Sequence, residues 1–441
     1  MAFSCVCHTV LTSIVMKIFA FLLFFTFSCF LHAQARTEDM IFKVAIFGPA
    51  DELYIWWGHA ALIVKNTRWG FSRVFDWGIF SYPSNNFLRD FVKNRVQYRV
   101  ATGSLNLNEY IEEDRDIVIF TLDLDTESKE VMLSYAENRI RLENRYYDYH
   151  QFRDNCATGI RDILDLGTGG QLKALFGNTP GRFTYRQHVR RFTSLKPIPD
   201  WFFDFLMGRN LDQPMSVWDE MFLPVEIARN IVDFRYIDNS GEERSLVKSV
   251  EIIHSSKNRQ PILNKPLTVW PFHLALGLFL AFFLLKIKKL HEKHLIPARI
   301  IFGISQSLLG LLFGAAGCVL FFGLFILPKD YIRQNINIFF VNPLLLAAIP
   351  LGIIAAAGKI RSLKAGKYLR LLWAYVFIIG SIMFFARLIP ALNQQNQSAL
   401  AIVLPIAWVL ADFQKESFTS LKRKFCLLTA KGIKLRINRF E

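Results

Sequence analysis

The chain has 441 residues, a formal net charge of +15 and 52% hydrophobic residues, with 42 phenylalanines among them. That length allows more than one domain, and the phenylalanine excess is of a membrane kind. The positive charge does not indicate nucleic acid, because the Lys and Arg excess is concentrated beside long apolar runs, and no internal repeat or low-complexity tract is present.

At the N-terminus, Lys17 is followed by an almost unbroken apolar stretch over residues 18–27 and then by Ala33-Gln34-Ala35. A basic residue, a short apolar core and a small-x-small site describe a secretory signal peptide over residues 1–35. The core is too short for a comfortable membrane span. Met16, directly before Lys17, is an alternative start. A competing reading makes Cys29 a lipidated N-terminus, against which Thr26-Phe27-Ser28 is a poor lead-in. Residues 36–262 then read as a soluble exported domain, with charges of both signs throughout.

Within that domain, Trp56-Trp57-Gly58-His59-Ala60-Ala61-Leu62-Ile63-Val64 is a short apolar run that reads as a buried strand. A histidine there is either a satisfied core residue or a base, and Gly58 beside it permits close approach. Val74-Phe75-Asp76-Trp77-Gly78 looks like the next strand. Antiparallel pairing would bring the Asp76 carboxylate toward the His59 imidazole, unless Asp76 is a solvated turn residue. His150 and His188 lie in polar, basic surroundings.

Of the six cysteines, Cys5, Cys7 and Cys29 lie in or before the signal peptide, Cys318 in an apolar run and Cys426 in the basic tail. Cys156 alone remains in the exported domain, so a disulfide within that domain is excluded. It is either a buried apolar filler or a reactive thiol. Asp154-Asn155-Cys156-Ala157-Thr158 opens a segment with Ile160, Ile163 and Leu164 at helical spacing, and Gly167, Gly169 and Gly170 can end it. Asp154 or Asn155 can serve as N-cap. Cys156 then sits in the first turn, where unpaired amides and the helix dipole favour a thiolate. A thiol of this kind needs a base, and a Cys–His pair far apart in sequence but adjacent in space is the usual arrangement. Asp76, Asp154 and Asn155 are the candidates for orienting that base.

Beyond the soluble region, residues 263–413 contain five apolar stretches, over 267–285, 300–327, 338–357, 371–386 and 398–410. The first four reach or approach the roughly 20 residues that cross hydrocarbon, and the fifth is short, with Asp412 just past its end. Lys286, Lys288, Lys289, Lys293 and Arg299 follow the first stretch, and Lys359, Arg361, Lys364, Lys367 and Arg370 the third. Residues 414–441 form a basic tail, whereas the two intervening loops carry only Lys329, Arg333 and Arg387. Basic segments are cytoplasmic. The expectation is therefore a bacterial inner-membrane protein with five spans, its soluble domain in the periplasm and its C-terminus in the cytoplasm. The tail reads as a topogenic positive end or as a helix on the inner leaflet.

Gly58-His59-Ala60-Ala61-Leu62, then Phe75-Asp76-Trp77-Gly78-Ile79-Phe80, then Tyr147-Asp148-Tyr149 running into Phe152-Arg153-Asp154-Asn155-Cys156-Ala157-Thr158, resemble the N-terminal periplasmic domain of Lnb-type bacterial proteins. Glu220-Met221-Phe222-Leu223-Pro224 is similar to that family's later phenylalanine-leucine-proline element. The resemblance covers residues 40 to 230 or so, and a five-helix tail is also a family pattern. The family's histidine and asparagine-cysteine-x-threonine element map to His59 and to Asn155, Cys156 and Thr158. Its second strand often has asparagine in place of Asp76.

The resemblance implies a lipoprotein N-acyltransferase whose catalytic domain occupies residues 36–262. The implied fold is an α+β permuted papain-like domain of the NlpC kind, similar to lecithin:retinol acyltransferase, followed by an α-helical transmembrane bundle of about five helices. Histidine then precedes cysteine in the chain, as His59 precedes Cys156. Membrane phospholipid would donate the acyl chain and apolipoproteins would accept it, with no cofactor and no metal. Two other classes remain at this point: a membrane-anchored cysteine amidase or peptidase acting on cell-wall peptides, and a non-catalytic envelope assembly module. Transport through the bundle is disfavoured, since the apolar stretches contain almost no ionisable residues.

Overall fold

A computed structural model describes residues 37–80, 96–293, 295–325, 327, 330–358 and 361–413. The expected signal peptide over residues 1–35, with Cys29, and the basic tail over residues 414–441 lie outside the described residues. The chain forms two compact units. One comprises the residues up to Phe183 with Pro214–Pro261, and the other Thr184–Gln213 with the residues from Ile262 onward.

In the first unit, β1 (Met40–Phe47), β2 (His59–Asn66), β3 (Ser72–Phe80) and β4 (Tyr98–Gly103) precede a short helix, α1 (Leu107–Glu112). Then come β5 (Ile117–Leu122), α2 (Thr126–Arg139), β6 (Tyr146–Tyr147), α3 (Cys156–Gly167) and α4 (Gln171–Phe176). The chain passes into the second unit as α5 (Tyr185–Thr193) and α6 (Pro197–Leu206), and returns with α7 (Val217–Glu220) and α8 (Pro224–Ile231). A small β7–β8 hairpin (Arg235–Ile237 and Glu243–Ser245) leads into β9 (Val247–His254). The main sheet has seven strands in the order β6-β4-β3-β2-β1-β5-β9, all neighbours antiparallel.

Strand alternation explains the two faces. Phe42, Val44 and Ile46 of β1 join Ala60, Leu62, Phe75 and Trp77 in the larger core, which α2, α3 and α8 cover. Ala45 and Phe47 point the other way with Ala61, Ile63 and Val74, under Leu107, Tyr110 and Ile111. The central strands are buried on both faces, which is why they read as continuous apolar runs. The unit is thus an α+β domain built on an antiparallel sheet.

The second unit continues with α9 (Trp270–Glu292), α10 (Ile296–Phe325), two 3-10 turns leading into α11 (Ala348–Ala357), α12 (Arg361–Ala386) and α13 (Gln397–Ala411). Among the described residues, four segments are long and apolar enough to cross a membrane: Trp270–Glu292, Ile296–Phe325, Ile336–Ala357 and Leu363–Ala386. Where the sequence leads to an expectation of five, the structure has these four and one shorter apolar helix. That helix, α13, has 15 residues and so extends about 22 Å. Glycines bring α10 and α11 close: a Cβ at Gly303 would lie 2.5 Å from Gly352 O, and one at Gly310 would lie 2.7 Å from Ala348 Cβ. Small residues at a helix crossing are the usual means of such approach in lipid. Helices α9 and α13 run parallel, since Gly277 meets Ala401 while Lys288, three turns on, bonds Val409 O at 3.2 Å and Asp412 at 2.8 Å.

Candidate active site

The β1–β2 turn ends at Gly58, whose φ of +83° and approach to Phe47 exclude any side chain: an added Cβ would stand 2.6 Å from Phe47 O. His59 follows as the first residue of β2, opposite Phe47, and the two rings stack at 6.2 Å. On β3, Asp76 pairs with Ala61, so it lies diagonally across from His59 on the same face. Its Oδ1 is 2.7 Å from His59 Nε2, and each of the two side chains is 20% exposed. That bond leaves Nδ1 for another partner.

Cys156 is the first residue of α3 and is buried. Asn155 is the N-cap. Its Oδ1 accepts from Thr158 N at 2.9 Å, and Thr158 Oγ1 accepts from Asn155 N at 2.7 Å, a reciprocal capping box. Asn155 Nδ2 donates to Gln151 O at 2.8 Å and to Phe222 O at 3.0 Å. Asn155 and Thr158 therefore fix the helix start, and the Phe222-Leu223-Pro224 element anchors it; Pro224 also packs against Gly58. Asp154 turns away into a two-stranded bridge with His150. With Thr158 N capped, the first-turn amides of Cys156 and Ala157 retain no intrahelical acceptor.

The histidine and the cysteine come from opposite faces of the sheet. They meet where β3 is irregular, between Asp76 and Ile79. Here Trp77 is buried against Gly159 of α3, where a Cβ would lie 2.6 Å from the indole. The next residue, Gly78, has φ +88°, and a Cβ on it would lie 3.8 Å from Cys156 Cβ and 3.0 Å from the Tyr149 ring. A bulge with no side chain opens the passage between the two faces.

Electrostatics follow from this contact. Burial pulls the His59 pKa down, but the Asp76 carboxylate and the Cys156 sulfur, each by charge and by hydrogen bond, lift it well above 6.5. The imidazole is therefore protonated at neutral pH, between a carboxylate and a sulfur.

Three tyrosines close the other side of the thiol. Tyr98 and Tyr149 stack at 4.3 Å, and Tyr147 is 6.3 Å from Tyr149. Burial pushes Tyr98 up to about 12, and burial together with the nearby Cys156 raises Tyr147 and Tyr149. All three hydroxyls keep their protons. Among the described residues, the buried Tyr147 Oη has no hydrogen-bond partner. Tyrosines 147 and 149 belong to the sequence motif that carries the resemblance, yet nothing in residue type or spacing assigned them a place at the thiol. Among the described residues no group of three or more His, Cys, Asp or Glu could hold a metal ion.

Residues 33–191 match the family model for the Lnb N-terminal periplasmic domain. The matched segment contains His59, Asp76, Asn155, Cys156 and Thr158. No curated protein and no solved structure matches the chain. The match is confined to residues 33–191, so the chain carries a segment similar to the Lnb N-terminal periplasmic domain, together with four described helices of span length.

Proposed function

We propose that the chain is a membrane-bound cysteine acyltransferase, moving a fatty acyl group from phospholipid through a Cys156 thioester to the N-terminal amine of diacylglyceryl-cysteine lipoproteins. The observation that carries this reading is the Cys156–His59–Asp76 line at the start of α3, with the imidazole held 2.7 Å from Asp76 and its pKa raised by both Asp76 and Cys156. The Lnb domain match supports lipoproteins as the acceptor class. A histidine strand preceding the cysteine helix is the order of a permuted papain-like fold.

In the first half-reaction the Cys156 thiolate attacks the ester carbonyl of the donor. The carbonyl C–O bond breaks, and the lysophospholipid alkoxide leaves with the proton from His59. In the second, the lipoprotein amine attacks the thioester, His59 takes its proton, and the thiolate departs. The pair ends as it began. Charge on the tetrahedral oxygen would be met by the free first-turn amides of α3 and by the unpartnered Tyr147 hydroxyl.

Both substrates are lipids, which gives a reason for joining a soluble domain to a bundle of spans. The parallel run of α9 and α13 supports a fifth crossing, because a helix packed along α9 in the same direction enters on the same side. Reporter fusions after Lys289 and at the C-terminus should then behave as cytoplasmic, and fusions near Asn335 and Asn393 as exported.

The decisive experiment is intact-mass measurement after incubation with phospholipid and no acceptor. Wild type should gain a fatty acyl mass that neutral hydroxylamine removes, and Cys156→Ala should not. A peptide with a diacylglyceryl cysteine and a free amino group should discharge it. Protein that acquires no acyl mass, yet cleaves wall peptides, would be an amidase instead.

A further inference from the structure

Helix α6 is built inside out. Its carboxylates, Asp200 and Asp204, are buried in ion pairs with Arg190 at 2.9 Å and with Arg186 at 3.1 Å. The opposite side bears Ile198, 82% exposed, and Phe202, 46% exposed, with exposed Leu195 just before the helix. A helix in water arranges these the other way round, because exposed apolar surface is unfavourable and buried charge needs partners.

Both ends of this helix are tied to the entrances of membrane spans within the same unit. Before it, Arg190 Nη2 donates to Leu267 O at 3.0 Å and Ser194 Oγ accepts from Leu267 N at 3.3 Å, three residues ahead of α9. After it, Asn335 Nδ2 donates to Phe205 O at 2.8 Å and Asn337 Nδ2 to the same carbonyl at 3.1 Å, at the start of the span Ile336–Ala357. Gln394 Nε2 reaches Met207 O at 3.3 Å, just ahead of α13. Two span entrances and the segment ahead of α13 thus hold the two ends of one ten-residue helix, so the helix lies across the end of the bundle. At that same boundary Phe272 on α9 and Leu388 after α12 are also exposed, and the apolar belt of the spans continues onto α6.

We propose that α6 is a monotopic helix fixed to the bundle on the exported side, lying in the lipid–water interface with Ile198 and Phe202 among the acyl chains. The occupant of its apolar side is the bilayer itself. Membrane binding of such a helix grows with the apolar area placed in the interface. Here the helix has no charged face turned to water, because its charges are spent on holding it to the bundle.

The test uses the full chain in vesicles of phosphatidylethanolamine and phosphatidylglycerol. A photoreactive benzophenone amino acid replaces Ile198 or Phe202, and adducts are read by mass spectrometry. Phe279, exposed on α9, serves as the lipid-facing reference, and Leu142, exposed in the first unit, as the other. Both α6 positions should form lipid adducts at yields near that of Phe279 and several-fold above that of Leu142. Yields at the Leu142 level, with Phe279 labelled normally, would overturn the proposal. So would adducts that join two protein chains in place of lipid, since they would make this side an interface between copies.

Discussion

Arg186 with its carboxylates in the second unit and His59 with Asp76 in the first differ in how completely they are satisfied. In the second unit, Arg186 is fully buried and every nitrogen of its guanidinium is bonded. Nε meets Asp212 at 2.7 Å, Nη1 meets Asp204, and Nη2 meets Asp212, Met207 O and Gly208 O. In the first unit, His59 and Asp76 remain partly open, and among the described residues the buried Tyr147 Oη has no hydrogen-bond partner. A cluster that only holds structure fills its own bonding capacity. Under the proposed function, a cluster that acts on a substrate leaves donors and a nucleophile unspent, and the first unit has two left-handed glycines beside it, Gly58 and Gly78.

The sharpest way to break this contrast is to remove the thiol or the base. Cys156→Ala and His59→Ala should each lower acyl transfer by about 10⁴-fold, near the top of the range for such groups, without lowering the melting temperature. The double variant should be little worse than either single one. If His59→Ala unfolds the domain instead, the first cluster is structural after all.

Next in size is Arg186→Leu. Removing one partner of a buried ion pair strands Asp204 and Asp212, which costs about 3–5 kcal/mol. A thermal scan in detergent should show the loss, and intact stability would mean the two clusters do not differ as described.

Tyr147→Phe should lower kcat by about 10²-fold, with the thioester still detectable, since one oxyanion donor is lost and no nucleophile. An unchanged rate would remove Tyr147 from the chemistry.

The smallest effect belongs to Asp76→Asn. Asparagine can still hold the imidazole, so activity should fall only about tenfold, while the pH profile moves. The working pair has His59 protonated, and Asp76 helps raise its pKa above 6.5. Rate is therefore lost as pH rises through that elevated value. Neutralising Asp76 lowers it, so the alkaline limb should shift to lower pH. A limb that stays in place would separate Asp76 from the titration of His59.

Much of the first cluster was legible in the residues. A lone exported cysteine at a helix start, a histidine on an apolar strand and a carboxylate on the next strand suffice to suggest the juxtaposition, because capping and strand pairing are local rules. A cap at Asp154 or Asn155 was legible for the same reason, and the structure selects Asn155. What was not legible depends on distant contacts. Gly78 sits in the run that reads as the next strand, and only the folded β3 shows that it lies against Cys156. His188, set aside on its polar neighbours, is fully buried in the second unit and bonded to Arg191 at 3.0 Å. Nothing between Thr184 and Gln213 announces that α5 and α6 join the bundle, since the amides that hold them, Asn335 and Gln394, come more than a hundred residues later and look like loop polarity.

The pairing of α9 with α13 has a consequence for how the bundle is made. The first helix of the bundle to leave the ribosome waits for the last, and Lys288 stays without Asp412 until nearly all of the described chain has been synthesised. Helix α13, short on its own, gains a partner already in place along its whole length. Assembly of the membrane unit thus has a closing step, in which the last described helix packs along α9 and brings Asp412 to Lys288.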